Sequence, residues 1–414
     1  MAIDFTLTPE QRALKREARS FARDVLSQVD GLTRDLPTPA ERFAATRPIY
    51  AEVVRAGFLR RLIPQPYGGE GTGLMDMAVL TEEFYAVDTN VSLTLLATLL
   101  GLMPLFLAGS AEQRTTLLAP FLNKTGTPLA ALANSEPGGS ANYAAPGPAE
   151  GTRTVAVRDG DDWVITGTKQ WMLGSGWDGQ GADLLCVVCR SDPEAPPASG
   201  ISVIAVPRPD RGLELLHLMD TFGNRAHAAP RFRLDGVRVP AGNVIGAVGA
   251  GKDIIDASFT ATAALVGIMG VGLMRAAFDF ALRFAKTEKR GGPKAIIDYQ
   301  AVGYALADVK TTLEAARYLG WAACHAMDVQ APGAQELALH SKIFGSEAAV
   351  STITKLMGVV GVDSYDRALP LAGWLQDAVV LPLFDGGNMG VRRRQLHELL
   401  MGADYDPLTT AGSE

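Results

Sequence analysis

Asp385 stands in Pro382-Leu383-Phe384-Asp385-Gly386-Gly387-Asn388, between a bulky apolar run and two glycines. A carboxylate taken out of water in such a place is a stronger base, useful near neutral pH. Arg392 follows seven residues later. In a helical segment that is two turns, which lets the guanidinium face the carboxylate and keep it charged and oriented. The competing reading is an Asp that caps a helix, with Arg392-Arg393-Arg394 as a solvated basic cluster. The residues alone leave both open.

A second segment is Leu132-Ala133-Asn134-Ser135-Glu136-Pro137-Gly138-Gly139-Ser140-Ala141-Asn142. Small residues and two glycines let a backbone approach a ligand closely. Free N–H groups in such a turn can bind an anion or a ring carbonyl. An ordinary loop is the other reading, and composition does not separate them.

Other chemistry lacks candidates. No Gly-x-Gly-x-x-Gly follows a strand, and there is no phosphate loop, Gly-x-Ser-x-Gly or His-Glu-x-x-His. His217, His227, His325, His340 and His397 are scattered, with no metal-ligand spacing, so no metal is expected. Cys186 and Cys189 form a C-x-x-C, but in a strand-like run an offset of three turns them to opposite faces, so they read as core residues. A bound organic cofactor is the natural remaining source of difficult chemistry.

The totals agree with this. A chain of 414 residues exceeds one ordinary core, and two to three domains are expected. A net charge of −7 without a basic stripe argues against nucleic acid. Three cysteines and no leader-like N-terminus suit the cytoplasm. The most apolar helical stretch, around Ala261 to Met274, is short and glycine-rich, and reads as a buried helix rather than a membrane span.

Three regions must position the two segments. Residues 1–125 read as helical: Thr8, Pro9 and Gln11 make an N-cap, a first-turn proline and a capping box, and Leu14, Ala18, Phe21 and Val25 form a stripe. Further helices are predicted over Met75 to Val87 and Ala111 to Leu122. Residues 126–245 read as a compact β-domain. It contains a hairpin through Asp159-Gly160-Asp161-Asp162, and strands over Ala182 to Cys189, Ile201 to Val206 and Arg231 to Val239. Residues 246–414 return to helix. There Val302, Leu306, Val309, Leu313 and Ala316 make a seam with Asp308, Lys310, Glu314 and Arg317 off it, as in a helical bundle.

The order of helices, β-domain and helices resembles the acyl-CoA dehydrogenases. So do Ser135-Glu136-Pro137-Gly138, Lys169-Gln170-Trp171, Asp235-Gly236-Val237-Arg238-Val239-Pro240 and the late acidic-Gly motif. The likeness covers nearly the whole chain. It implies an α+β fold with an N-terminal α-helical domain, a central β-barrel domain and a C-terminal four-helix bundle. Within that superfamily the chain resembles the nitroalkane oxidases in Arg42-Phe43-Ala44-Ala45-Thr46-Arg47-Pro48, Leu100-Gly101-Leu102-Met103-Pro104, Gly181 to Arg190, Arg290-Gly291-Gly292 with Gln300, and Phe384 to Gln395.

The resemblance implies FAD. Ala133, Asn134, Ser135 and Ser140 would border the flavin, and Trp171, Met172 and Leu173 would pack on its ring. Gly387 and Asn388 would lie along it. Arg290, Tyr299, Gln300 and the turn Gly358 to Gly361 would meet the FAD of a neighbouring subunit, in a homotetramer built as a dimer of dimers. Asp385 falls where acyl-CoA dehydrogenases of the common type carry Glu and nitroalkane oxidases carry Asp. Arg392 matches its partner, and Thr262 takes the place of a serine near the flavin. The implied reaction is removal of the α-proton of a neutral nitroalkane by Asp385, addition of the carbanion to flavin N5 and loss of nitrite. Water then releases an aldehyde or ketone, and O2 reoxidises the flavin to give hydrogen peroxide. The alternatives are an α,β-dehydrogenase or oxidase of an acyl thioester, and a flavin monooxygenase on the same scaffold. Asp385 counts against the latter, whose members usually lack a carboxylate there.

Overall fold

The computed structural model of the protein describes residues 6–146, 150–172, 174–209 and 211–411. Among them the chain runs through seven helices, then a seven-stranded sheet carrying one short helix, then five more helices. The first group is α1 (Pro9–Asp24), α2 (Val29–Thr33), α3 (Pro39–Arg55), α4 (Leu74–Tyr85), α5 (Asn90–Ala108), α6 (Ala111–Leu117) and α7 (Ala119–Leu122). Thr8 caps α1 with the expected box: its hydroxyl accepts from the Gln11 N–H, and the Gln11 side chain accepts from the Thr8 N–H. The helix expected over Ala111 to Leu122 is two short helices, broken at Leu118 before Pro120.

The strands are β1 (Ala130–Ala133), β2 (Val155–Asp159), β3 (Asp162–Gln170), β4 (Leu184–Arg190), β5 (Ile201–Pro207), β6 (Leu213–Leu218) and β7 (Pro230–Pro240), with α8 (Pro197–Gly200) before β5. Their order is β1-β4-β2-β3-β7-β6, with β5 antiparallel on β4. Among the described residues no pairing joins β6 back to β1 or β5, so the expected barrel is a half-barrel. The β2–β3 hairpin turns through Gly160 and Asp161, with Asp159 opposite Asp162. All seven residues of β4 are buried, so its two faces both lie in the core. Burial pushes the Cys186 and Cys189 thiols up to about 12, as inert core groups.

The third group is α9 (Gly251–Thr287), α10 (Gln300–Asp328), α11 (Ala334–Val360), α12 (Pro370–Ala378) and α13 (Arg393–Leu400). Three long helices and the nine-residue α12 form the bundle. The stretch expected to be too short to span a bilayer belongs to a helix of 37 residues, which is long enough. Its most apolar window is 78% buried inside the protein, so packing, not length, assigns it to the core. The α10 seam is as expected from Leu306 to Ala316, but Arg317 is buried too, because its guanidinium pairs with Glu82 of α4 and Glu314. α9 and α11 meet backbone to backbone: a Cβ on Gly345 would lie 2.7 Å from the Gly267 Cα. That contact brings Thr262 and Lys342, just upstream on the two helices, into one neighbourhood.

Candidate active site

Asp385 is not in a helix and caps none. The chain leaves α12, turns through Val380 to Phe384, and carries Asp385 at φ 51°, followed by Gly386 and Gly387 at 87° and 60°. A left-handed non-glycine residue costs roughly 1–2 kcal/mol and marks a site held by its surroundings. The next five residues, Asn388–Arg392, form a π-helical turn. This wide turn, not two α-turns, brings Arg392 back to Asp385.

Arg392 is wholly buried and uses its whole fork. Nη2 donates to Asp385 Oδ2 at 2.9 Å and to the Phe259 carbonyl at 3.0 Å. Nε donates to the Asp385 main-chain carbonyl at 2.9 Å, and Nη1 to Gln395 Oε1 at 3.1 Å. The other carboxylate oxygen, Oδ1, accepts the Thr262 hydroxyl at 3.1 Å. The carboxylate is thus gripped at both oxygens, with its side chain 6% exposed. Leu383, two residues before it, points out at 69% exposed, and the carboxylate's hydrogen-bonding partners are Thr262 of α9 and Arg392.

The other segment lies across a small cavity lined by Asn134, Ser140, Tyr143, Asp256, Phe259, Gly386, Val391, Arg392 and Gln395. Ala133 ends β1, and the turn after it is fixed by a buried ion pair. Lys169 Nζ donates to Glu136 Oε1 at 2.7 Å and to the Asn134 carbonyl at 3.0 Å. Glu136 also accepts from the Thr154 N–H and hydroxyl and from the Arg153 N–H. Burial raises the Glu136 carboxyl, but the Lys169 charge and these hydrogen bonds outweigh it and leave it below the usual range. The Gln170 N–H donates to the Ser135 carbonyl, tying the same turn to the end of β3.

These residues suit a flat, polar-edged ring. Asn134 Oδ1 is buried with no hydrogen-bond partner among the described residues, at a cost that a bound donor would remove. Trp171, at φ 57° and half exposed, offers a flat indole face next to buried Met172. Gly138 and Gly139, both at positive φ, leave the turn open. Leu173 lies outside the described residues.

Arg290 and the Gly361 turn gather elsewhere. Arg290 Nη1 donates to Asp363 at 2.6 Å, and Nη2 to the Val360 carbonyl beside Gly361. Gly358 lies in the last turn of α11, a turn before Gly361. Tyr299 is partly exposed, and Gln300 donates to Tyr304. None of these hydrogen bonds reaches the Asp385 turn. Gly387 makes the last turn before the π-helical segment. The Asn388 side chain is buried and turned to the protein: Oδ1 accepts from Lys342, and Nδ2 donates to Ser346 and Glu347. Lys342 and Phe259 carry no signal in the sequence, since their contacts to the turn are made only in the fold, whereas Gln395 closes the Phe384-to-Gln395 string and meets Arg392 three residues before it.

Three family models match in order: the acyl-CoA dehydrogenase N-terminal domain over residues 8–125, the middle domain over 131–237 and the C-terminal domain over 249–401. The chain belongs to the acyl-CoA dehydrogenase superfamily and is an FAD flavoprotein oxidoreductase with that fold. Its relatives are more particular. It is 43% identical to a nitroalkane oxidase of Podospora anserina, covering 98% of each chain. It is 37% identical to one of Fusarium oxysporum, over 98% of this chain and 96% of the other. The solved Podospora anserina enzyme superimposes with a TM-score of 0.94 over 99% of each chain, at 42% identity.

Proposed function

We propose that this protein oxidises neutral nitroalkanes to aldehydes or ketones, with release of nitrite and reduction of O2 to hydrogen peroxide. The observation that carries the reading is the Asp385 carboxylate, held at both oxygens on a left-handed turn, in a chain 43% and 37% identical to two nitroalkane oxidases. A neutral nitroalkane is a carbon acid, and its slow step is transfer of the α-proton. Asp385 takes that proton. Arg392 and Thr262 hold the carboxylate so that a lone pair faces the substrate carbon, which converts a bimolecular encounter into an oriented transfer. FAD, when bound, would supply the two-electron acceptor, with water the source of the carbonyl oxygen and O2 the final oxidant. Asn134, Ser135, Trp171 and Met172 would hold it, with Ala133 and Ser140 at the edge. Arg290, Tyr299, Gln300 and the Gly358–Gly361 turn serve the cofactor of a neighbouring subunit in a homotetramer. This reading is supported by their distance in contacts from Asp385 and by the exposed Tyr304, Val362 and Tyr365 beside them.

The test is a nitrite and peroxide assay on the FAD-loaded protein with nitroethane and longer nitroalkanes, in parallel with anaerobic addition of acyl-CoA. Nitrite and peroxide in equal amounts are expected. Flavin bleaching by acyl-CoA without nitrite from any nitroalkane would transfer the site to acyl-thioester oxidation.

A further inference from the structure

Lys342 lies on α11 with its side chain fully buried, and no carboxylate pairs with it among the described residues. Burial pushes its ammonium down to about 7, with Asp385 and Glu347 opposing that push and Arg392 adding to it. For stability alone, an apolar side chain of the same length would do better there. What the ammonium touches is the Asp385 turn. Nζ donates to the Leu381 carbonyl at 2.5 Å and to Asn388 Oδ1 at 3.2 Å, and lies 5.7 Å from the centre of the Phe384 ring. Leu381 is four residues before Asp385 and Asn388 three after it, so one side chain spans the base of the turn. α11 reinforces the grip: Ser346 and Glu347 accept from Asn388 Nδ2, each at 3.0 Å. The Asn388 N–H closes the turn onto the Pro382 carbonyl at 2.8 Å.

We propose that Lys342 is the positioning residue of the Asp385 carboxylate: it clamps both ends of the turn against α11 and so fixes the left-handed backbone that aims the base. Arg392 and Thr262 hold the carboxylate itself, whereas Lys342 holds the main chain that carries it. The catalytic part of this inference rests on the nitroalkane reading. The geometric part does not.

The test uses FAD-loaded wild type and Lys342→Met with two substrates. Neutral nitroethane needs its proton removed, and the preformed nitronate anion does not. Lys342→Met is expected to lower kcat/KM for nitroethane at least about tenfold, equivalent to about 1.4 kcal/mol of lost alignment, and to leave nitronate turnover within about twofold. A general folding defect would lower both alike, and that result, or no loss on either, overturns the proposal. Hydrogen exchange over residues 381–392 gives a readout that needs no turnover: faster exchange in the variant is expected, and unchanged exchange refutes the clamp. If Lys342→Met yields no folded holoenzyme, Asn388→Ala removes one end of the clamp and must show the faster exchange over residues 381–392, or the proposal falls. Wild type that releases nitrite from neither substrate defeats the nitroalkane reading, and the exchange experiment still decides the clamp.

Discussion

Replacing Arg392 with lysine keeps the positive charge and removes the fork. In the wild type one planar group serves four acceptors: Asp385 Oδ2, the Asp385 carbonyl, the Phe259 carbonyl and Gln395 Oε1. An ammonium has three donors on a single atom and cannot reach acceptors spread around a guanidinium. At least one bond to the carboxylate or its carbonyl is lost. A hydrogen bond to a charged group contributes about 1.5–3 kcal/mol. If that energy is realised in proton transfer, kcat/KM for nitroethane falls roughly ten- to a hundredfold, at about 1.4 kcal/mol per tenfold. The assay is initial-rate nitrite release from nitroethane, with the nitronate anion as control. The anion should retain activity within about threefold, because its proton is already gone. An Arg392→Lys enzyme that processes nitroethane at the wild-type rate would refute the claim that the fork aims the carboxylate. Equal losses on both substrates would move the role of Arg392 from proton removal to cofactor or product handling. Arg392→Met is a harsher change, since it leaves the nearly buried Asp385 carboxylate without its cation. A loss of about 3–5 kcal/mol of stability is expected, read as a lower denaturation midpoint.

Two further perturbations test the frame around the site. Lys169→Met takes the nearest cation from the buried Glu136 carboxylate beside the Asn134 turn and leaves it only Arg153 at 3.8 Å; a loss of stability of at most about 3–5 kcal/mol is expected, with FAD lost more readily on ultrafiltration, and unchanged FAD retention would separate the ion pair from cofactor binding. Asp377 of α12 joins all three regions, because its carboxylate accepts from the Thr89 hydroxyl at 2.8 Å and the Asn224 N–H at 2.7 Å. Burial, with nearby Asp88 adding to it, pushes Asp377 up from 3.8 to about 6. Its folded pKa is raised, so its stabilising contribution is complete below about pH 4, is lost as pH rises to about 6, and then stays as a constant penalty of at most about 3 kcal/mol. Asp377→Asn should therefore melt higher than wild type at pH 8 and lose that advantage near pH 4. A variant less stable at pH 8 than wild type would show that the fold favours the charged carboxylate, against a raised Asp377 pKa.

The parts of the fold that were readable in the sequence are local. The Thr8 box and the Asp159–Asp162 hairpin rest on contacts within a few residues, and both stand as expected. β1 and β6 were not foreseen. Ala130–Ala133 is too short and alanine-rich to show a strand pattern, and the alternation of Leu213–Leu218 is broken by a register shift between Leu215 and His217. Asp385 and Arg392 stood out because seven residues separate them, yet the geometry that joins them did not follow from the spacing. It needs a left-handed residue, two glycines and a π-helical turn, none of which a helical period encodes. Lys342 and Arg317 were invisible for a different reason. A buried charge is recognised by its partners: Lys342 meets Leu381, 39 residues away, and Arg317 adds to its neighbour Glu314 the buried Glu82, 235 residues away.

On the proposed reading Asp385 is a base, and an aspartate base places unusual demands on its backbone. Only two side-chain torsions separate its carboxylate from the main chain, so an error in φ at Asp385 is carried directly to the reacting oxygen. A glutamate has one more torsion with which to correct it. The contacts of Arg392 answer that demand, since the guanidinium binds the Asp385 carboxylate and the Asp385 carbonyl together and so locks the side chain relative to its own backbone. Gly386 is fitted to the same group: a Cβ there would lie 3.1 Å from Arg392 Nε, on a residue at φ 87°. The turn is in turn held to α11, and the facing Asn134 turn to β3, each through a fully buried lysine. The two halves of the site thus come from separate regions of the chain, each fixed to regular structure, and Arg394 joins them where its Nη2 donates to the Ala141 carbonyl at 2.9 Å.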